Sequence, residues 1–307
     1  MKENQTQKYL KDVLENMPAD WLKLTTHRLD IYDEQQAKSQ FLEQFEELYK
    51  YSNSKTSALA GLPTAFDYIR LGHPLSSILE WAIAQNTGLK ADNVITFSSK
   101  TIPVLAVLRK NLFLGKKTSI LYSEDLPEYF DPESLRKVYG YNFELQKIED
   151  LEDISEFDGS SVFVSQAEDI SDLKVPSKID FWVSILPGLG SVILVNGEQN
   201  DQYISEIQHV RRRETIAMTP ADTYVALQRL MGTTSAKEEN DSAVAKEKVQ
   251  ASIKEITGTN SEALLGSSGL SIQYAIMMGL IDDALEKQEG KAIKLIVPPN
   301  CYGGTND

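Results

Sequence analysis

The 307-residue sequence predicts an α/β fold, a mostly parallel sheet with helices on both faces. Two observations predict it. Short apolar runs of four or five residues, too brief for a buried helix, recur along the chain, and helix-like stretches bounded by turn residues separate them. A hydrophobic share of 41% is ordinary for a globular core, and the length allows one large domain or two modest ones.

The elements follow in order. Residues 1–57 are polar, with Phe41, Phe45, Leu48 and Tyr49 spaced as on one helical face and Glu43, Glu46, Glu47 and Lys50 beside them. This is the pattern of an amphipathic N-terminal arm, expected to pack on the domain behind it or to reach a neighbouring subunit. From Ser57 the character changes. Gly61-Leu62-Pro63 and Leu71-Gly72-His73-Pro74 punctuate the chain, and residues 76–85 then read as a helix with Ile78, Leu79 and Ile83 inward and Gly88 as its cap. Residues 94–97 read as a strand and 101–112 as a helix that tolerates Pro103 because it falls in the first turn. Further strands are expected at 118–122, 161–164, 181–184 and 191–195, a helix at 135–138, and another opening at Thr219-Pro220-Ala221-Asp222. Residues 233–248 are charged and serve as a linker or the exposed part of a long helix, after which the rhythm restarts. The expected organisation is an arm over 1–57, an α/β domain over 58–235, and a linker helix with the start of a second, truncated unit over 236–307.

Composition excludes several classes of function. A formal charge of −14 and a pI near 4.8 oppose a general nucleic-acid role, since Arg211-Arg212-Arg213 is the only dense basic run. The single cysteine, Cys301, rules out an intrachain disulfide framework and fits a reducing compartment. His27, His73 and His209 are far apart and fall in no metal-binding pattern. The opening Met-Lys-Glu-Asn-Gln lacks the basic-then-apolar run of a signal peptide, and no stretch approaches the roughly 20 apolar residues of a membrane span. A cytoplasmic location is the expectation. Gly115-Lys116-Lys117-Thr118 imitates part of a phosphate loop, but the first glycine of that motif would fall on Lys110. Cys301 has no base beside it in sequence and is a poor candidate nucleophile.

Two stretches echo each other. Residues 78–99 and 249–268 each hold a helix that closes on Thr-Gly, at Gly88 and Gly258, then a spacer, a short apolar run, and Ser-Ser at Ser99 and Ser268. The match suggests two related units, although any two helix-strand-helix units of an α/β protein resemble one another to some degree.

Two features could carry chemistry. Ser267-Ser268-Gly269-Leu270-Ser271 lies where a strand is expected to feed a helix, so backbone amides, hydroxyls and the helix dipole can converge on an anion. Serine and glycine at such a junction also serve as a plain helix cap, the commoner use. Residues 295–305 read as a strand running through Pro298-Pro299-Asn300-Cys301 into Tyr302-Gly303-Gly304-Thr305, whose tyrosine could stack on a planar ring or half-bury in an ordinary turn. Strand ends on one side of a parallel sheet frame the crevice where ligands of open α/β sheets bind.

The Ser-Ser-Gly motif followed by a helix, a strand and Tyr-Gly-Gly-Thr resembles the Cys/Met metabolism PLP-dependent enzymes, which include cystathionine synthases and lyases and methionine lyase. The resemblance implies a PLP-transferase large domain of the aspartate aminotransferase type and a pyridoxal 5'-phosphate cofactor. It gives Ser268, Gly269 and Leu270 the cofactor phosphate and Tyr302 the pyridine ring. A fainter likeness spans residues 60–235. There Tyr68-Ile69-Arg70-Leu71-Gly72-His73-Pro74 resembles the family's Tyr-x-Arg-x-x-Asn-Pro, whose Tyr and Arg reach the phosphate of the neighbouring subunit's cofactor, which implies that role for Tyr68 and Arg70. His73 replaces the asparagine. Ser98-Ser99-Lys100 stands where Ser-Ser-Gly is expected, Tyr122-Ser123-Glu124-Asp125 replaces Tyr-Gly-Gly-Thr, and Val164-Ser165-Gln166 lacks the carboxylate that meets the pyridinium nitrogen. Where the family has Ser-x-Thr-Lys and a Gly-His turn, the chain reads Val183-Ser184-Ile185-Leu186-Pro187-Gly188-Leu189-Gly190, without a lysine.

Pyridoxal chemistry needs an amine for the Schiff base. The first unit lacks it, and the second stops at Asp307 before its own lysine could appear, so the expectation is a fragment or a chain that works with another subunit. No catalytic residue is assigned. The resemblance implies a transsulfuration-type β- or γ-elimination or replacement on a small amino-acid substrate. The alternative is a non-catalytic pseudoenzyme domain that pairs with an active homologous subunit or a second copy. A third reading is an unrelated α/β protein that binds another anion at Ser268-Gly269.

Overall fold

The computed structural model describes residues 5–23, 34–63, 69–127, 130–167, 170, 173–233, 242–288 and 290–301. Two compact units divide the chain, Met1–Ser235 and Ala236–Asp307.

The first unit begins with helices α1 (Gln5–Asn16), α2 (Glu34–Lys50) and the single turn α3 (Thr56–Leu59). Then come α4 (Pro74–Thr87), β1 (Val94–Phe97), α5 (Ile102–Leu114), β2 (Thr118–Tyr122), α6 (Pro132–Lys137) and β3 (Phe143–Lys147). Strands β4 (Ser160–Gln166), β5 (Phe181–Leu186) and β6 (Gly190–Val195) and helices α7 (Ile204–Glu214) and α8 (Pro220–Leu230) complete it. The six strands form one sheet in the order β1-β6-β5-β4-β2-β3. Five run the same way and β6 runs against its neighbours β1 and β5, so the sheet is mostly parallel, as the sequence leads one to expect. The reversal of β6 has a simple cause: the residues between β5 and β6 number three, and so short a link joins only antiparallel neighbours.

Period-two alternation sorts the strand side chains onto two buried faces. Ile95, Phe97, Ile120, Val162, Val164, Phe181, Val183, Ile193 and Val195 pack on one side, against Val104, Val107 and Leu108 of α5 and Ile207 and Val210 of α7. Val94, Leu121, Phe163, Trp182, Leu186, Val192 and Leu194 face the other side, where α1, α2, α4 and α8 contribute Leu10, Phe41, Phe45, Ile78, Leu79 and Leu227. The N-terminal arm is therefore part of the core layer of its own unit. Phe41 and Phe45 are fully buried, and Trp81 of α4 meets Phe45 and Tyr49 edge-on at 5.2 and 5.1 Å while its indole N–H donates to Glu46 at 3.1 Å. Burial of each phenylalanine stabilises the arm by about 2–3 kcal/mol.

The second unit contains α9 (Ser242–Thr257) and α10 (Gly269–Lys287). None of its described side chains is buried. Helices α4 and α9 both end in a common way, on a glycine in the left-handed region, Gly88 at φ 75° and Gly258 at φ 67°, each donating its amide to the carbonyl four residues back. The strands expected around 263–265 and 295–297 do not form. Those segments have strand-like composition but no neighbour to receive their backbone hydrogen bonds, and a lone strand has no ladder to stabilise it.

Candidate functional site

All parallel strands of the first unit point their C-terminal tips to one end, where the crevice of an open α/β sheet lies. At the tip of β1, the turn into α5 is closed by its own residues. The Ser99 hydroxyl accepts the amides of Thr101 at 3.3 Å and Ile102 at 3.2 Å, Pro103 has no N–H, and the amide of Val104 bonds to the Thr101 carbonyl at 3.0 Å. The donors with which a helix N-terminus binds an anion are thus spent locally. Ser98 bonds to Thr215 and faces the Ile216 carbonyl, and Ser191 donates to the Ser99 carbonyl.

At the tips of β2 and β4, the loop after β2 folds back over β4. Gln166 donates its amide to the Glu124 carboxylate at 2.9 Å and its side-chain nitrogen to the Asp125 carbonyl at 2.9 Å. Gln166 is therefore a neutral side chain locked to the neighbouring loop.

At the tip of β5, the chain reads Val183 to Gly190 without a lysine. The chain reverses there at once: Leu189 donates to the Leu186 carbonyl at 3.0 Å, Pro187 and Gly188 occupy the corner, and Gly188 has φ 74°. Gly190 then passes so close to β1 that a Cβ on it would lie 2.2 Å from the Phe97 carbonyl oxygen. Strand β6 pairs with β1 as its antiparallel neighbour, and Ser184 is fully buried with a hydroxyl that finds no partner among the described residues.

Around the turn that carries Arg70, buried charge gathers. Glu80 of α4 and Arg211 of α7 are 1% and 4% exposed. One Glu80 oxygen accepts from the Thr96 amide and hydroxyl, both at 2.8 Å, and from Arg211 at 3.1 Å; the other meets Lys38 of α2 at 2.6 Å. Lys38 also donates to the carbonyls of Ala91 and Val94, and Arg211 to those of Thr96 and Leu71. Burial pushes the Glu80 carboxyl up, but the charges of Lys38 and Arg211 outweigh it and hold the group below its ordinary value. His73 begins α4: its Nδ1 accepts the Ser76 amide at 3.3 Å and Nε2, which must then carry the proton, donates to the Met218 carbonyl at 2.7 Å. Burial lowers its pKa to about 4. The histidine in place of asparagine thus keeps the cap and the local turn.

In the second unit, α10 opens with a reciprocal capping box between Ser268 and Ser271. The amides of Gly269 and Leu270 precede the first intrahelical bonds, so they point out of the helix end, and a Cβ on Gly269 would meet nothing within 4 Å. The Ser268 amide donates to Ser271 and its hydroxyl accepts the Ser271 amide, which leaves the amides of Gly269 and Leu270 as the donors at this helix end. Tyr302 and Tyr68 lie outside the described residues. Sequence reading missed the Lys38–Glu80–Arg211 cluster. Its one visible signal was a glutamate on the apolar side of an otherwise buried helix. A cavity of about 150 Å³ lies along one face of β2–β4, lined by Ser119, Leu121, Glu144, Gln146, Ile148 and Ser161 among others. Among the described residues no group of histidines, cysteines and carboxylates could hold a metal ion, and no helix is long and apolar enough to cross a membrane.

No known family model matches this chain, and no curated protein does. Solved structures match at low similarity. MetB from Corynebacterium glutamicum is 14% identical with a TM-score of 0.36 over 63% of this chain, which spans 60% of that protein's length. A protein assigned as an L-allo-threonine aldolase from Listeria monocytogenes is 12% identical with a TM-score of 0.35, covering 82% of this chain and 77% of the other. A protein assigned as an O-acetylhomoserine (thiol)-lyase, MetY, from Campylobacter jejuni, carrying N'-pyridoxyl-lysine-5'-monophosphate, is 12% identical with a TM-score of 0.36, covering 82% and 74%. Similarity at this level carries nothing about chemistry.

Proposed function

We propose that this chain is a PLP-transferase-type protein of sulfur amino acid metabolism in which residues 58–235 are a non-catalytic copy of the enzyme domain, built to assemble with an active homologous unit. The supporting observation is the hairpin at Leu186–Leu189. It closes the tip of β5 within three residues, none of them a lysine, at the strand end where the resemblance looks for the Schiff-base lysine. The self-capped start of α5 and the neutral Gln166 favour the same reading, because each removes a different cofactor contact.

The phosphate-binding half of the chemistry fits the second unit better. There Ser268, Gly269 and Leu270 would hold the cofactor phosphate, Tyr302 would cover its ring, and Tyr68 and Arg70 would reach a neighbour's phosphate. Bound pyridoxal phosphate would supply the electron sink for elimination or replacement at a sulfur amino acid or homoserine ester. This chain's residues bind and orient it, and the amine comes from a partner or a further segment. Borohydride reduction of the purified chain with pyridoxal phosphate, followed by peptide mapping, tests the reading. Expected is no single-site adduct within residues 58–235, and co-sedimentation with an active homologue of the same class. A stoichiometric adduct on one lysine of that segment would overturn it.

A further inference from the structure

We infer that Glu80 is a positioning residue that ties the docking of helix α2 to the geometry of the Arg70 turn. Its carboxylate is shared. One oxygen holds Lys38, the single described α2 cation that reaches the core layer, and the other holds Arg211. Arg211 in turn grips the Leu71 carbonyl, one residue after Arg70. The same turn is pinned from the other side, where the Ala217 amide donates to the Ile69 carbonyl at 3.1 Å and His73 holds Met218. Gly72 lets the turn take φ 132°, a backbone conformation that residues with a side chain rarely adopt.

Two cations divide one buried carboxylate, so displacement of either redistributes the interaction available to the other. Helix α2 and the Arg70 turn are more than 20 residues apart in sequence and meet through this side chain. The link runs through the carboxylate alone: loss of its charge loosens both α2 and the turn, whereas a packing change in α2 that leaves the Lys38–Glu80 pair in place does not reach the turn. The inference goes beyond the proposed function and does not need Arg70 to bind a phosphate.

The test is hydrogen exchange on the full chain carrying Glu80→Gln, a near-isosteric change that removes the charge and leaves the space filled. Exchange is expected to quicken by roughly tenfold or more both along α2 and at the Ala217 amide. Phe45→Leu, which loosens α2 by packing alone, is expected to quicken exchange along α2 and leave Ala217 unchanged. Removing the surplus cation in Glu80→Gln/Lys38→Met should restore slow exchange along α2. A Glu80→Gln effect confined to one end, or an equal response of Ala217 to Phe45→Leu, would overturn the inference. If Glu80→Gln does not fold, Thr96→Val, which takes one hydroxyl donor from the carboxylate, must still move both ends together, and movement of one alone would refute the coupling.

Discussion

His73 shows how one substitution can keep a structure and change its response to acid. As the N-cap of α4 it needs a lone pair on Nδ1 for the Ser76 amide and a proton on Nε2 for the Met218 carbonyl, which is the neutral ring. Its folded pKa near 4 lies below the ordinary 6.5. Between those values the unfolded chain takes up a proton that the folded one refuses, so stability is full above about pH 6.5 and falls as the pH drops toward 4. At 1.36 kcal/mol per pH unit the loss amounts to about 3 kcal/mol. Urea titrations from pH 7 to 4 should show this slope, and His73→Asn, which retains a capping side chain, should flatten it. An unchanged slope in the variant would place the acid sensitivity elsewhere. Ser184 is the opposite case. Its buried hydroxyl has no partner among the described residues, and a desolvated polar group without a hydrogen bond is costly. Ser184→Ala is therefore expected to leave stability unchanged or raise it by about 1 kcal/mol, measured by the denaturation midpoint.

The hairpin between β5 and β6 is where the first unit departs most from a cofactor site, and its two glycines make that departure testable. Gly190 has φ 141°, and a Cβ would press on the Phe97 carbonyl, a backbone atom that cannot rotate away. Gly190→Ala should cost about 3 kcal/mol or more. Gly188, at φ 74°, has open space around its Cβ position, so Gly188→Ala should cost only about 1–2 kcal/mol, the price of the left-handed conformation alone. Equal costs would mean that the hairpin does not pack on β1 as described. The same elements show what was legible beforehand. Strands β1 and β2 appear at their expected bounds, because short runs rich in β-branched and aromatic residues between turn signals leave few alternatives. The Phe41–Tyr49 stripe reads as a helix face for the same reason. Strand β3, with Glu144, Gln146 and Lys147 on an exposed edge, carries too little apolar signal to be seen. The runs at 263–265 and 295–297 carry ample signal and form no strand, since pairing depends on a neighbour that local sequence does not encode. The Lys38–Glu80–Arg211 cluster joins positions more than 100 residues apart, and only the folded chain brings them together.

Across the chain, burial is divided unevenly between the two units. The first has a sheet covered on both faces and a dense core on each side, enough to fold cooperatively without help. The second presents Val244, Val249, Ile256, Leu264, Ile276, Leu280, Leu285 and Ile296 to solvent and has no buried side chain among its described residues. Helices of 16 and 19 residues without a packed face are marginal in water, because propensity alone barely offsets the cost of nucleation. The proposed anion cradle at Ser268–Gly269 therefore sits on an element whose order depends on what covers it. Residues 1–235 expressed alone should unfold in one cooperative thermal transition, with a midpoint within a few degrees of the first-unit transition of the full chain. Residues 236–307 alone should lose helicity gradually, with no sigmoidal transition by circular dichroism. A cooperative, two-state transition in the isolated 236–307 fragment would show that its apolar residues pack into a core of their own, and the cradle would then be preformed rather than assembled by a partner.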